Sequence, residues 1–198
     1  MIEDALRAAV KGILEHATVY QGWTLQGLGM LRLRFDKRYR LHVWSHEDRV
    51  PEVTAIHDHP WNFISHVISG EIENRLYSMV DPECNADIIA KGEDYIEQEI
   101  VCGPKGCTIG EPVPVKLAEY DTATFLGGQD YAQNKYEIHE SRPTDGAVSL
   151  IETWTAGQSD DRAHVYYRAS DRWVSAEPRP ATPEEVRRIT RRALDRWA

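Results

Sequence analysis

From residue 31 to residue 155 the chain falls into short segments with apolar residues at every second position, separated by glycine, proline and charged turns. That pattern confines it to a β-sandwich or barrel, since side chains alternate between the two faces of a strand and each segment is too short to be a helix. Leu31-Arg32-Leu33-Arg34-Phe35 and Tyr39-Arg40-Leu41-His42-Val43-Trp44 alternate in this way around a charged turn at Asp36-Lys37-Arg38. Further strands are predicted over 54–59, 64–68, 72–80, 96–101, 113–117, 122–125, 135–139 and 148–155. In the first pair the leucines and aromatics mark one face, read as the core, and Arg32, Arg34 and Arg40 mark the other, read as solvated, with binding of an anionic substrate as the alternative if they face inward. The same parity puts His42 at a surface or half-buried position, and His66 outside the barrel, opposite Phe63, Ser65 and Val67.

Helical periodicity appears only at the two ends. Ile2, Leu6, Ala9, Val10, Ile13 and Leu14 recur at helical spacing and predict a helix over 1–20. Thr182-Pro183-Glu184-Glu185 offers an N-cap, a proline at the first helical position and a glutamate placed to close a capping box, so a second helix is predicted over 182–197. Its stripe of Val186, Ile189, Ala193, Leu194 and Trp197 has to dock on the barrel or on a second subunit. Two such helices in need of apolar cover lead to the expectation of a homodimer. The whole is read as one domain, 1–198: the barrel over 31–156 with an insertion near 81–120, and a short proline-containing connector over 176–180 before the last helix.

Charge excludes one class of partner. A net charge of −9, from 32 acids against 23 lysines and arginines, is the wrong sign for a nucleic-acid backbone. No apolar run approaches the roughly 20 residues of a membrane-spanning helix, and the acidic first residues do not form a signal peptide. Three cysteines, Cys84, Cys102 and Cys107, form no CxxC pair. Their odd number fits a reducing cytoplasm, where a Cys102–Cys107 bridge is not expected.

The chemistry lies in His57-Asp58-His59-Pro60-Trp61-Asn62-Phe63-Ile64-Ser65-His66-Val67-Ile68-Ser69-Gly70. Residues two apart on a strand share a face, so His57 and His59 can present two imidazoles to one transition metal. Alone, such a pair is equally compatible with two surface or turn histidines. Asp58, between them, points the other way and suits a structural role.

With its tight turn, second strand and glycine turn at Gly70, this stretch resembles the first motif of the cupin superfamily. Gly127-Gly128-Gln129-Asp130-Tyr131 followed by Tyr136-Glu137-Ile138-His139-Glu140 is similar to the second. The resemblance covers about 39–156 and implies an all-β jelly-roll barrel, flanked here by the N- and C-terminal helices. It also implies a divalent metal held by His57, His59 and His139: iron(II) first, with Ni, Mn, Cu or Zn as alternatives. The family's glutamate ligand should stand seven residues before Gly70, where this chain has Phe63. The set is therefore similar to the three-histidine sites of cysteine-dioxygenase-like cupins. The histidine and tyrosine those enzymes carry on the last strand are Ile151 and Thr153 here, so thiol oxidation does not transfer.

Three neutral imidazoles leave a divalent ion its full charge, which favours small anionic chelating ligands. Glu137, Glu71, Glu73 or Glu152 could undo this by completing the shell. A pocket walled by Phe63, Tyr131 and Trp154 is expected at the barrel centre. A non-haem iron oxygenase, a metal-assisted isomerase, lyase or decarboxylase, and a non-catalytic small-molecule binding module all fit this frame. No residue other than the three histidines is singled out for catalysis, because no serine or cysteine stands in an activating motif.

Overall fold

The computed structural model describes residues 2–50, 53–81, 92–103, 106–154, 162–170 and 178–197. Helix α1 (Ile2–Glu15) is followed by fourteen strands and helix α2 (Pro183–Asp195). The strands are β1 (Thr24–Gln26), β2 (Leu28–Arg34), β3 (Tyr39–Arg49), β4 (Ile56–His57), β5 (Asn62–Ser69), β6 (Glu71–Met79), β7 (Glu93–Gly103), β8 (Gly106–Ile109), β9 (Val113–Leu126), β10 (Asp130–Gln133), β11 (Ile138–Pro143), β12 (Val148–Trp154), β13 (Arg162–Tyr167) and β14 (Arg179–Pro180). They form two antiparallel sheets, in the orders β10-β5-β12-β3-β2-β1-β14 and β13-β4-β11-β6-β9-β7-β8. Strand β13 also pairs with β7, so six strands of the second sheet close on themselves. The fold is all-β, with a closed six-stranded barrel and a helix near each end, consistent with the expected cupin-like jelly roll.

Three packing layers follow from the side-chain alternation. The first lies outside the first sheet, where Leu31, Leu33, Leu41, Val43 and Ile68 meet Val10 and Leu14 of α1 and Val186, Ile189 and Ala193 of α2. Val10 and Leu14 of α1 and Val186, Ile189 and Ala193 of α2 thus find apolar cover within the chain. The second layer fills the closed six-stranded ring with Ile56, Tyr77, Tyr95, Leu117, Ile138 and Tyr166. The third, with Phe63, Val67, Ile72, Tyr131 and Ile151, lies between the sheets.

Several boundaries differ from the sequence reading. Helix α1 stops at Glu15 and passes into a single 3-10 turn over Ala17–Val19, whose Ala17 carbonyl accepts a hydrogen bond from Trp23 Nε1 at 2.9 Å. Helix α2 has its capping box in place, with Thr182 as the cap. The predicted strand over 135–139 is a turn until Ile138: the backbone of Tyr136 takes φ of 60°, and the carboxylate of Glu137 caps Asn134 N at 3.1 Å. Strand β13 and the two-residue β14 carried too little alternation to be predicted.

Gly70 takes φ of +78°, and a Cβ there would meet Ala147 Cα at 2.9 Å, so the turn between β5 and β6 requires glycine. The 81–120 insertion supplies β7, β8 and most of β9. Its residues 82–91, Cys84 included, lie outside the described ones, as do the first two residues of the connector over 176–180. Cys107, which faces Cys102 in the β7–β8 register, is disulfide-bonded, against the expectation drawn from an odd cysteine count. No helix among the described residues is long and apolar enough to cross a membrane.

Candidate metal centre

Two short ladders bring the three histidines together. His57, on the two-residue β4, is the Cα partner of His139 on one side and of Val165 on the other. His59 follows in the loop that leads into β5. The ring centroids lie 4.6 Å apart for His57 and His59, 4.6 Å for His57 and His139, and 5.2 Å for His59 and His139. One nitrogen from each ring falls within 4.8 Å of the others, and together they form a group able to hold a metal ion.

Backbone carbonyls decide which nitrogen is free. His57 Nδ1 donates to Ala55 O at 2.8 Å, and His139 Nδ1 to Glu137 O at 3.0 Å. A carbonyl oxygen only accepts, so each proton sits on Nδ1 and each Nε2 keeps its lone pair, as metal-binding imidazoles require. His57 Nε2 and His59 Nε2 are 3.2 Å apart. Two nitrogens each about 2.0–2.1 Å from one ion, at angles between tetrahedral and octahedral, are separated by roughly 2.9–3.4 Å, so the pair fits a shared metal. Burial lowers the pKa of all three rings. On His57 it outweighs the opposing hydrogen bond to Ala55 and the nearby Asp58; on His59, which falls well below the usual value, it is reinforced by the neighbouring His57 and His139; and with His57 second it brings His139 down to about 3. Neutral rings are the ligating form.

No carboxylate joins them among the described residues. Phe63 occupies the place of the acid, its ring 5.5 Å from that of His59 and 5.9 Å from that of His139. Glu137 turns its side chain to Gln133 Nε2 at 2.8 Å and contributes only its carbonyl to the site. Glu73 pairs with Arg75 and Glu152 with Arg38, while Glu71 is exposed. Asp58 is buried and points away, accepting from His164 N at 2.7 Å and facing His164 Nδ1 at 2.8 Å, which ties the segment between the two ligand positions to β13.

The inner face of the first sheet overturns part of the sequence reading. Arg32 is buried and Arg40 half-buried: the leucine face is the one plated by the terminal helices, so the arginine face turns into the space between the sheets. Register aligns Arg34 with Arg40, Arg32 with His42, Arg40 with Ile151 and His42 with Ser149, all on the face that carries Phe63. His42 is therefore buried as well, and burial, ahead of the nearby Arg40, Arg32 and Arg34, drives its pKa well down. Arg34, at the strand end, remains exposed.

Trp61 stacks on His59 with ring centroids 5.1 Å apart, and the Arg40 guanidinium lies over the Trp61 ring at 5.2 Å from its centroid. Arg40 was read as solvated in preference to substrate-binding, and Trp61 was not among the expected pocket walls. The signal was available, because a sheet whose apolar face is covered by helices has its polar face inside.

Of the three expected pocket walls, Phe63 touches the histidines and Tyr131 packs behind it at 6.3 Å. Trp154 does not belong. It is 41% exposed, opposite Asn62, while its neighbour Thr153 shares the face of Phe63. The strand alternation turns it outward. His66 also points outward, to Asp130 at 2.9 Å.

No protein-family model matches the chain, and no curated protein does. Among solved structures, it is similar to a hydroquinone 1,2-dioxygenase from Sphingomonas sp. TTNP3 with 4-hydroxybenzoate bound. The identity is 15%, over 61% of this chain and 62% of that one, with a TM-score of 0.31, a likeness too loose to carry an argument about function.

Proposed function

We propose that this chain is a metal-dependent cupin acting as a non-haem iron oxygenase on a small anionic chelating substrate. The observation that supports this most directly is Phe63 against His59 and His139, with no acid completing the set. When bound, a divalent ion held by imidazoles alone supplies its undiminished charge and open positions for a chelating anion and dioxygen. The protein's own residues favour that use. Phe63, Val67, Ile72, Tyr131 and Ile151 give the inter-sheet space an apolar floor beside the histidines. Trp61 fixes the ring of His59 by stacking. The Nδ1 bonds of His57 and His139 hold the other two rings in orientation.

The test is elemental analysis of protein purified without oxygen, followed by oxygen uptake on addition of chelating acids to the iron(II) form. Near one iron per chain, with uptake that depends on the acid, is expected. A protein that holds zinc alone and consumes no dioxygen contradicts the oxygenase reading. It moves the site to Lewis-acid chemistry such as isomerisation, lysis or decarboxylation.

A further inference from the structure

Positive charge accumulates on the inner face of the first sheet without an acid to balance it. Arg34 and Arg40 are cross-strand partners, and Arg32 occupies the next row beside His42. Among the described residues, none of the three guanidinium groups has a hydrogen bond or ion pair. Arg32 Nε, Arg40 Nε and His42 Nε2 are buried without a partner, as is Trp61 Nε1. Arginines in such surroundings are normally paired, since a buried unpaired charge is costly. Burial first, then the charge of Arg34, brings Arg32 down to about 10; burial first, then the charges of Arg32 and Arg34, brings Arg40 down to about 9. The protein holds cations together here at a cost that an anion would relieve.

Solvent reaches this patch. A small cleft of about 100 Å³ opens against Arg34, Lys37, Arg38, Arg40 and Trp61, room for one small anionic group. Its one acid, Asp36, is occupied by the amides of Arg38 and Tyr39 at 2.7 Å each, and Arg38 is matched by Glu152. Arg34, Lys37 and Arg40 are left to face the cleft. Trp61 lines the cleft and stacks on His59, so one indole ring adjoins both the cleft and the histidines.

The geometry points to an anion subsite formed by Arg34 and Arg40, with Arg32 behind them, which takes a second carboxylate or phosphoryl group of the ligand whose chelating end lies at His57, His59 and His139. The substrate class is then a two-headed anion: a hydroxy- or oxo-acid head and an anionic tail. The assignment of the head rests on the metal reading above; the assignment of the tail does not.

Three probes separate these elements. Malate and 3-phosphoglycerate share a hydroxy-acid head and carry a carboxylate or phosphoryl tail; lactate has the head alone. Each is titrated calorimetrically into the zinc-loaded and the metal-free protein. At least tenfold tighter binding of malate, 3-phosphoglycerate or both over lactate is expected in both forms, and the better of the two identifies the tail. The preference should fall to within twofold in Arg40→Met and be reduced in Arg34→Gln, whose exposed position leaves folding intact. Equal binding of all three probes, no binding of any, or a preference that survives both substitutions overturns the subsite. A preference that persists while metal removal changes no affinity upholds the subsite and overturns the metal reading instead.

Discussion

His57 and His139 are Cα partners across the β4–β11 ladder, with ring centroids 4.6 Å apart, although they come from opposite halves of the chain. Their meeting is a property of backbone register. A slip of one residue in either strand would turn one imidazole to the other face of its sheet.

The first prediction follows from that register. Replacing His57, His59 or His139 by alanine should reduce bound transition metal from about one per chain to near zero, whereas His66→Ala should leave it unchanged. Metal analysis of the four variants decides. Full occupancy in the His139 variant would falsify the three-histidine site.

Phe63 sets the charge of the site. Phe63→Glu should weaken binding of hydroxy-acid anions by roughly tenfold or more, because it places a negative charge about 5 Å from the histidine rings. Phe63→Gln, of the same shape and neutral, separates charge from lost packing. If the two variants bind such anions equally, Phe63 does not act by withholding charge.

Asp58 holds the loop between the two ligand positions through His164. Asp58→Ala removes both contacts and should lower metal affinity about 10- to 100-fold while the three imidazoles remain, the range seen when groups that orient metal ligands are removed. Competition with a chromogenic chelator measures it, and an unchanged affinity would remove Asp58 from the site.

Glu185 gives a pH test of the α2 cap. Arg179, then the amide of Thr182, hold its carboxyl at about 2 against an ordinary 4.5. A depressed folded-state pKa means stability that is complete above 4.5 and lost as pH falls through 2. The melting midpoint of Glu185→Gln should therefore fall less steeply than that of the wild type across that window. Thr182→Ala should cost about 1 kcal/mol at neutral pH. Parallel acid limbs would show that the cap contributes nothing measurable.

The elements most legible in the sequence were those set by local chemistry. Thr182-Pro183 and Glu185 announce α2, Gly70 announces its turn, and the two-residue spacing of His57 and His59 announces a shared face. What alternation alone could not settle was which face of the first sheet is inside. Both faces of β2 and β3 are buried, one under helices and one against the second sheet, so the leucines marked the helix side, Arg32 and Arg40 were placed in solvent, and His42 at a surface or half-buried position. Trp154 failed through the same parity, by one residue. Glu137 shares a nominal strand phase with His139, but the backbone there is a turn, which aims its carboxylate at Asn134 and Gln133.

Strand β4 has only two residues, too few to persist as a free ribbon, yet it is laced on both flanks, to β11 and to β13. Because β13 is in turn fastened to β7, β4 is a rung in a continuous hoop and has no fraying edge. Separating His57 from His139 therefore demands rupture of the hoop itself. Amide exchange at His57 should track global unfolding of the protein and not local breathing at the cleft.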